Sequence, residues 1–183
     1  MTGIFREGWF ATMKKGSEKE KNVYLKIRKD ELGLTREKAS DLLQFITPER
    51  LEKIESEKSL AHPDEVLVMS EKYKKPDLCN YYCANQCPIG RRYVPEITMG
   101  ELPTIVLQML SSLNETEKEK DRLVEIAADG KIGEDELKDF VHIQNELEKI
   151  SITVETLQLW AEKMVASGAI DMELYRQYKE QDK

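Results

Sequence analysis

The sequence predicts an all-α protein: a module of four to five short helices followed by a helical hairpin with coiled-coil character. Three observations carry this. The Val/Ile/Thr/Tyr alternation that marks strands is almost absent. The 9 glycines and 6 prolines among 183 residues cluster at a few points and cut the chain into helix-length pieces. Apolar residues, 40% of the chain against 34% charged, recur every three to four positions, enough for a core beneath a charged surface. The length fits one compact domain or two small ones. No apolar run approaches the roughly 20 residues of a membrane span.

Residues 1–21 read as a tail. Phe5, Trp9 and Phe10 show no periodicity. Two readings stay open here. Arg6-Glu7-Gly8 can be encoded as a bacterial ribosome-binding sequence upstream of Met13, which would make residues 1–12 a non-native extension. The other reading is a disordered or docking tail.

Residues 22–76 form the first module. Val23 to Leu32 reads as a helix ended by Gly33. Thr35 caps a second helix, with Arg36 in its first turn and Ala39, Leu42 and Leu43 on its apolar face. Thr47-Pro48 opens a third: Thr47 is the cap, Pro48 occupies the first helical position, and Ile46 and Leu51 stand where a hydrophobic staple would place them. Leu51 and Ile54 continue that face. Pro63-Asp64-Glu65 opens a fourth helix, faced by Val66, Met69 and Tyr73. The second and third helices, joined by a tight turn, have the arrangement in which the third can lie in a DNA major groove.

The run Leu32-Gly33-Leu34-Thr35-Arg36-Glu37, then Leu43, Ile46-Thr47, Leu51 and Ile54-Glu55, resembles the Xre (phage-repressor, Cro-like) helix-turn-helix family over about a third of the chain. The family pattern is L-G-L-T-Q-E, an L-G-I-S turn, then I-x-x-I-E. Here the turn is one residue longer and lacks its glycine, and Arg36 replaces the Gln that anchors to phosphate. The resemblance implies a transcriptional regulator that binds double-stranded DNA as a homodimer. Its DNA-contacting residues would be Thr35 and Arg36, then Thr47, Glu49, Arg50 and Lys53 on the recognition helix. Arg50 would read guanine and Glu49 would accept from cytosine N4. Against this, Glu49, Glu52, Glu55 and Glu57 set four carboxylates near a polyanion. The competing reading is a protein–protein adaptor on an Xre-like scaffold, metal-stabilised if the cysteines bind a metal.

Residues 77–100 hold Cys79, Cys83 and Cys87 and a linker from Pro88 through Gly100. The spacing C-x3-C-x3-C puts all three thiols near one face of a helix. With His62 as a fourth ligand they would suit zinc, and soft sulfur also suits an iron–sulfur cluster or copper(I). His142 is the second histidine that could supply the fourth ligand. The alternative is that the thiols are small apolar packing groups beside Tyr82, with His62 merely capping the fourth helix.

Residues 101–183 read as the hairpin. Leu102, Ile105, Val106, Met109 and Leu113 recur at helical spacing. Glu115 to Arg122 is a solvated charged stretch, and Asp129-Gly130 marks a turn. A long helix runs from about Glu134 to Gly168, and a short polar helix carries Tyr175 and Tyr178. Its apolar stripe suits dimerisation. Asp129-Gly-Lys-Ile with Glu136 resembles half a calcium loop, but Ala127 cannot ligate at the third position, so calcium is rejected.

The net charge of −7 is uneven. Residues 1–78 carry 16 basic and 15 acidic side chains, whereas residues 79–183 carry 12 and 20. The N-terminal part is therefore neutral, which permits DNA binding without advertising it. No Gly-rich phosphate loop, Ser/His/Asp set or H-E-x-x-H is present, so no enzyme is expected. Three close cysteines without a secretion signal fit a reducing compartment, the cytoplasm.

Overall fold

The computed structural model describes residues 22–181, and among these every regular element is a helix. The expectations for the tail, including Met13 as a start, fall outside the described residues. The chain divides into two compact units, Met1–Glu96 and Ile97–Lys183.

In the first unit Asn22 caps a short helix α1 (Val23–Leu25), its side chain accepting from the Tyr24 and Leu25 amides. The helix continues as a π-helical stretch, Lys26–Glu31. Consecutive Ile27 and Arg28 are both buried there. Gly33, at φ +63°, ends the helix as expected. Next come α2 (Arg36–Leu43), α3 (Pro48–Glu55) and α4 (Pro63–Tyr73). They close over a core of Ala39, Leu43, Ile46, Leu51, Ile54, Val66, Met69 and Tyr73. Ile46 and Leu51 are both buried, as a staple across the start of α3 requires.

The cysteine segment forms the helix α5 (Asp77–Asn85), and a short helix α6 (Gly90–Tyr93) stands in the stretch read as linker; both lie inside the first unit. Leu78 is buried in the same core, and the Tyr24 hydroxyl donates to Gln86 Oε1 at 2.9 Å. Gly90 is required here. A Cβ at this position would lie 2.2 Å from the Cys83 carbonyl oxygen.

Within the core sits an ion-paired cluster. Arg28, its side chain 6% exposed, forms a fork with Glu55, using Nε to Oε1 and Nη2 to Oε2. Its Nη1 donates to the Leu34 carbonyl. Arg36 Nε donates to Glu55 Oε2 at 2.9 Å from the other side. One carboxylate thus ties the π-helical stretch, α2 and α3 together.

The second unit is a hairpin of α7 (Leu102–Ala127) and α8 (Leu137–Ser167), followed by α9 (Met172–Gln181). The charged stretch Glu115 to Arg122 does not interrupt α7. Pairs three apart, such as Glu115–Lys118 at 2.6 Å, run along it. Asp129 Oδ1 accepts from the Lys131 amide and Gly130 sits at φ +71°, which makes the turn. Gly168, at φ +79°, ends α8. No helix among the described residues is long and apolar enough to cross a membrane.

Candidate nucleic-acid interface

The candidate site is built on α2, the turn after it and α3. Both helices start on a threonine. Thr35 Oγ1 accepts from the Lys38 amide at 3.3 Å, and Thr47 Oγ1 accepts from the Arg50 amide at 3.2 Å. A glutamate stands in each first turn. The Glu49 carboxyl is held below the usual range by its own backbone N–H first and the Thr47 hydroxyl second. Glu37 is held low in the same way by its own N–H and Thr35. Each helix N-terminus therefore has part of its orphan amides satisfied from within and carries a negative charge.

The turn is tight without glycine. The Phe45 amide donates to the Leu43 carbonyl at 2.9 Å, a two-residue closure centred on Gln44. Gln44 takes φ 68° and ψ −47°, the strained hand of the γ-turn. This is the position at which sequence reasoning noted the missing Gly.

The structure divides the six candidate DNA contacts into two groups. Thr35, Thr47, Glu49 and Lys53 are exposed. Lys53 forms no ion pair among the described residues. Arg36 is partly exposed, its side chain at 37%, although its Nε is held by Glu55. Arg50 stands apart. Its Nε and Nη2 donate to Glu65 Oε1 and Oε2, both at 2.7 Å. Nη1 donates to Ser59 Oγ at 2.7 Å and Nη2 to the Leu60 carbonyl at 2.8 Å. Arg50 thus clamps α3 to the start of α4. Glu65 completes the clamp by accepting from the His62 amide at 2.7 Å. Burial pushes the Glu65 carboxyl up, but the Arg50 and His62 hydrogen bonds outweigh it, and the net shift is downward.

Sequence reasoning overlooked two residues. Glu65 read only as a first-turn charge. Its partner sits fifteen residues earlier on another helix, so no local spacing reveals the pair. Lys38 is exposed in the first turn of α2, one turn after the cap, and forms no ion pair among the described residues. Its place beside Arg36 was the available signal.

The cysteines do not share one helical face. Cys79 and Cys83 lie on α5, but α5 ends at Asn85 and Cys87 lies beyond it. The cause is Pro88, which disfavours helical backbone at the residue before it. The Cys87 amide donates to the Tyr82 carbonyl at 2.9 Å, and Cys87 Sγ accepts from the Gly90 amide at 3.4 Å. All three are free and half-buried. Burial raises the Cys83 thiol above its ordinary value, with Cys87 and Cys79 adding to the effect. His62 lies at the N-terminus of α4. Among the described residues no group of three or more His, Cys, Asp or Glu side chains is placed to hold a metal ion.

Comparison with family models, with curated proteins and with solved structures finds no match to this chain.

Proposed function

We propose that the N-terminal unit binds double-stranded DNA as a transcriptional regulator of the Xre helix-turn-helix type. The observation that carries this is the α2–turn–α3 corner. Its two threonine-capped helices of 8 residues each meet at a tight turn, with the start of α3 exposed and α4 packed behind it. The cations free for phosphate are Lys38, Lys53 and the outer nitrogens of Arg36. Base edges then fall to Glu49 and Lys53, since Arg50 is held by Glu65.

The test is fluorescence anisotropy of a labelled random duplex titrated with the full chain. Three phosphate contacts give a slope near −2.7 in log affinity against log salt, or about 40-fold weaker binding between 50 and 200 mM. Absence of binding at the lower salt by folded protein would refute the reading.

A second reading, an adaptor that binds protein, is favoured by one specific observation. Phe45, 56% exposed, stands at the tip of the turn with exposed Leu42 before it. Exposed Glu49 and the Glu52–Lys58 pair flank a surface with little free positive charge. A folded chain that ignores duplex at low salt selects this reading.

A further inference from the structure

We propose that Cys83 and Cys87 are a redox site: a hydroperoxide joins them in a reversible disulfide at the junction of α5 and α6. The proposal is independent of DNA binding.

Backbone geometry singles out this pair. Residues four apart in an α-helix rise about 6 Å and are turned about 40° past one another. A disulfide takes Cα atoms about 4.4–6.8 Å apart and Cβ atoms about 3.5–4.5 Å apart. The rise fits, but the rotation fans the side chains outward, and Cys79 and Cys83, both within α5, keep that fan. Cys87 does not. The Tyr82 carbonyl accepts from the Gln86 amide at 2.8 Å and from the Cys87 amide at 2.9 Å. The second bond closes a turn one residue wider than an α-turn. A wider turn rotates less per residue, so the excess falls and Cys87 swings back over Cys83. Electrostatics agrees: the charge of Cys87 acts on Cys83 more strongly than that of Cys79, which stands the same four residues away on the other side.

Gly90 bridges the pair. Its amide donates to Cys87 Sγ at 3.4 Å, and a Cβ on it would lie 2.2 Å from the Cys83 carbonyl oxygen. Both cysteines therefore border the first residue of α6. They are free and half-buried, within reach of a small molecule.

The chemistry balances with a hydroperoxide as oxidant. Cys87, the sulfur to which the Gly90 N–H is donated, gives its proton to water and attacks a peroxide oxygen. The S–O bond forms, the O–O bond breaks, and the leaving oxygen takes up a proton and departs as alcohol, or as water from hydrogen peroxide. Cys87 is then a sulfenic acid. The Cys83 sulfur attacks the Cys87 sulfur, the S–O bond breaks, and the departing hydroxide takes the Cys83 proton and leaves as water. Two electrons have passed from the two sulfurs to the peroxide. Burial, which holds the proton on Cys83, suits this thiol to the second step. Cys79 packs against the core of the first unit and takes no part. Bond formation draws Cys87 Sγ off the Gly90 amide and loosens the closure of α6 on α5.

Mass spectrometry of the full, folded chain tests this. The reduced protein is treated with hydrogen peroxide, and the remaining thiol is alkylated with iodoacetamide and located by fragmentation. The expected product has lost two of its three thiols, carries its single alkyl group on Cys79, and regains all three thiols with dithiothreitol. The chain unfolded in urea should spread the alkyl group over all three positions. Cys79→Ser should still form the bond, whereas Cys83→Ser should stop at a sulfenic acid on Cys87, trapped by dimedone. Should Cys83→Ser fail to fold, the position of the alkyl group in the unmodified chain decides. An alkyl group on Cys83 or Cys87, an equally exclusive label on Cys79 in urea, oxidation to sulfinic acid without a disulfide, or no loss of thiols would overturn the proposal.

Discussion

Replacing Arg50 separates a structural role from a DNA-reading one. Arg50→Ala removes four hydrogen bonds: two to Glu65, one to Ser59 and one to the Leu60 carbonyl. It leaves the Glu65 carboxylate, its side chain 9% exposed, with only the His62 amide as donor. Breaking a fully buried pair costs about 3–5 kcal/mol. Arg50 is itself 21% exposed, so water recovers part of that, and a loss of about 2–3 kcal/mol is expected. Such a loss is a large fraction of the 5–15 kcal/mol that holds a typical domain. The assay is urea denaturation followed by far-UV circular dichroism, with Glu65→Gln and the double variant closing a cycle. Coupling between the two changes should be about 1–3 kcal/mol. The cycle has a pH signature. The Glu65 carboxyl titrates lower in the folded chain than unfolded. Its contribution is therefore present above the ordinary carboxylate value near 4.5 and lost as pH falls below it. Glu65→Gln should remove that part of the acid sensitivity. An Arg50→Ala chain with unchanged urea midpoint but weakened duplex binding would refute the clamp and return Arg50 to the groove.

Three further outcomes follow from the same geometry. Gln44→Gly relieves a γ-turn strain of about 1–3 kcal/mol at an unfolded-state cost of about 0.5–1. Because Gln44 is exposed, the thermal midpoint of the first unit should rise by a few degrees, while Gln44→Ala should not raise it. Glu55→Gln leaves the buried Arg28 without its counter-charge, and chemical denaturation should show a loss of about 3–5 kcal/mol, the largest of the set. Lys53→Ala should lower the salt slope of duplex binding by about one while leaving stability within about 0.5 kcal/mol, and an unchanged slope would remove Lys53 from the interface.

Much of the helical frame is legible in the sequence because its signals are local. Thr35, Thr47-Pro48, Gly33, Gly130 and Gly168 act through backbone geometry and hydrogen bonds within a few residues. They mark helix ends where the chain in fact has them. The buried faces of α3 and α4 follow from period alone, since Leu51, Ile54, Val66, Met69 and Tyr73 recur at helical spacing and are all interior. The helices α7 and α8 are legible for the same reason.

Only the tertiary structure decides what the charged side chains do. Glu55 reads as one of four carboxylates facing a polyanion, yet it is nearly sealed between Arg28 and Arg36. Arg50 reads as a free cation on a helix start, yet a glutamate fifteen residues on takes both faces of its fork. The packing of the cysteine helix was hidden likewise: Leu78 and Gln86 join α5 to the first module, and Gly90 lets α6 close against Cys83 of α5. The physical reason is range. Caps and periodicity are set by neighbours along the chain, whereas a long, flexible charged side chain finds its partner across space, once the core has fixed which helices meet.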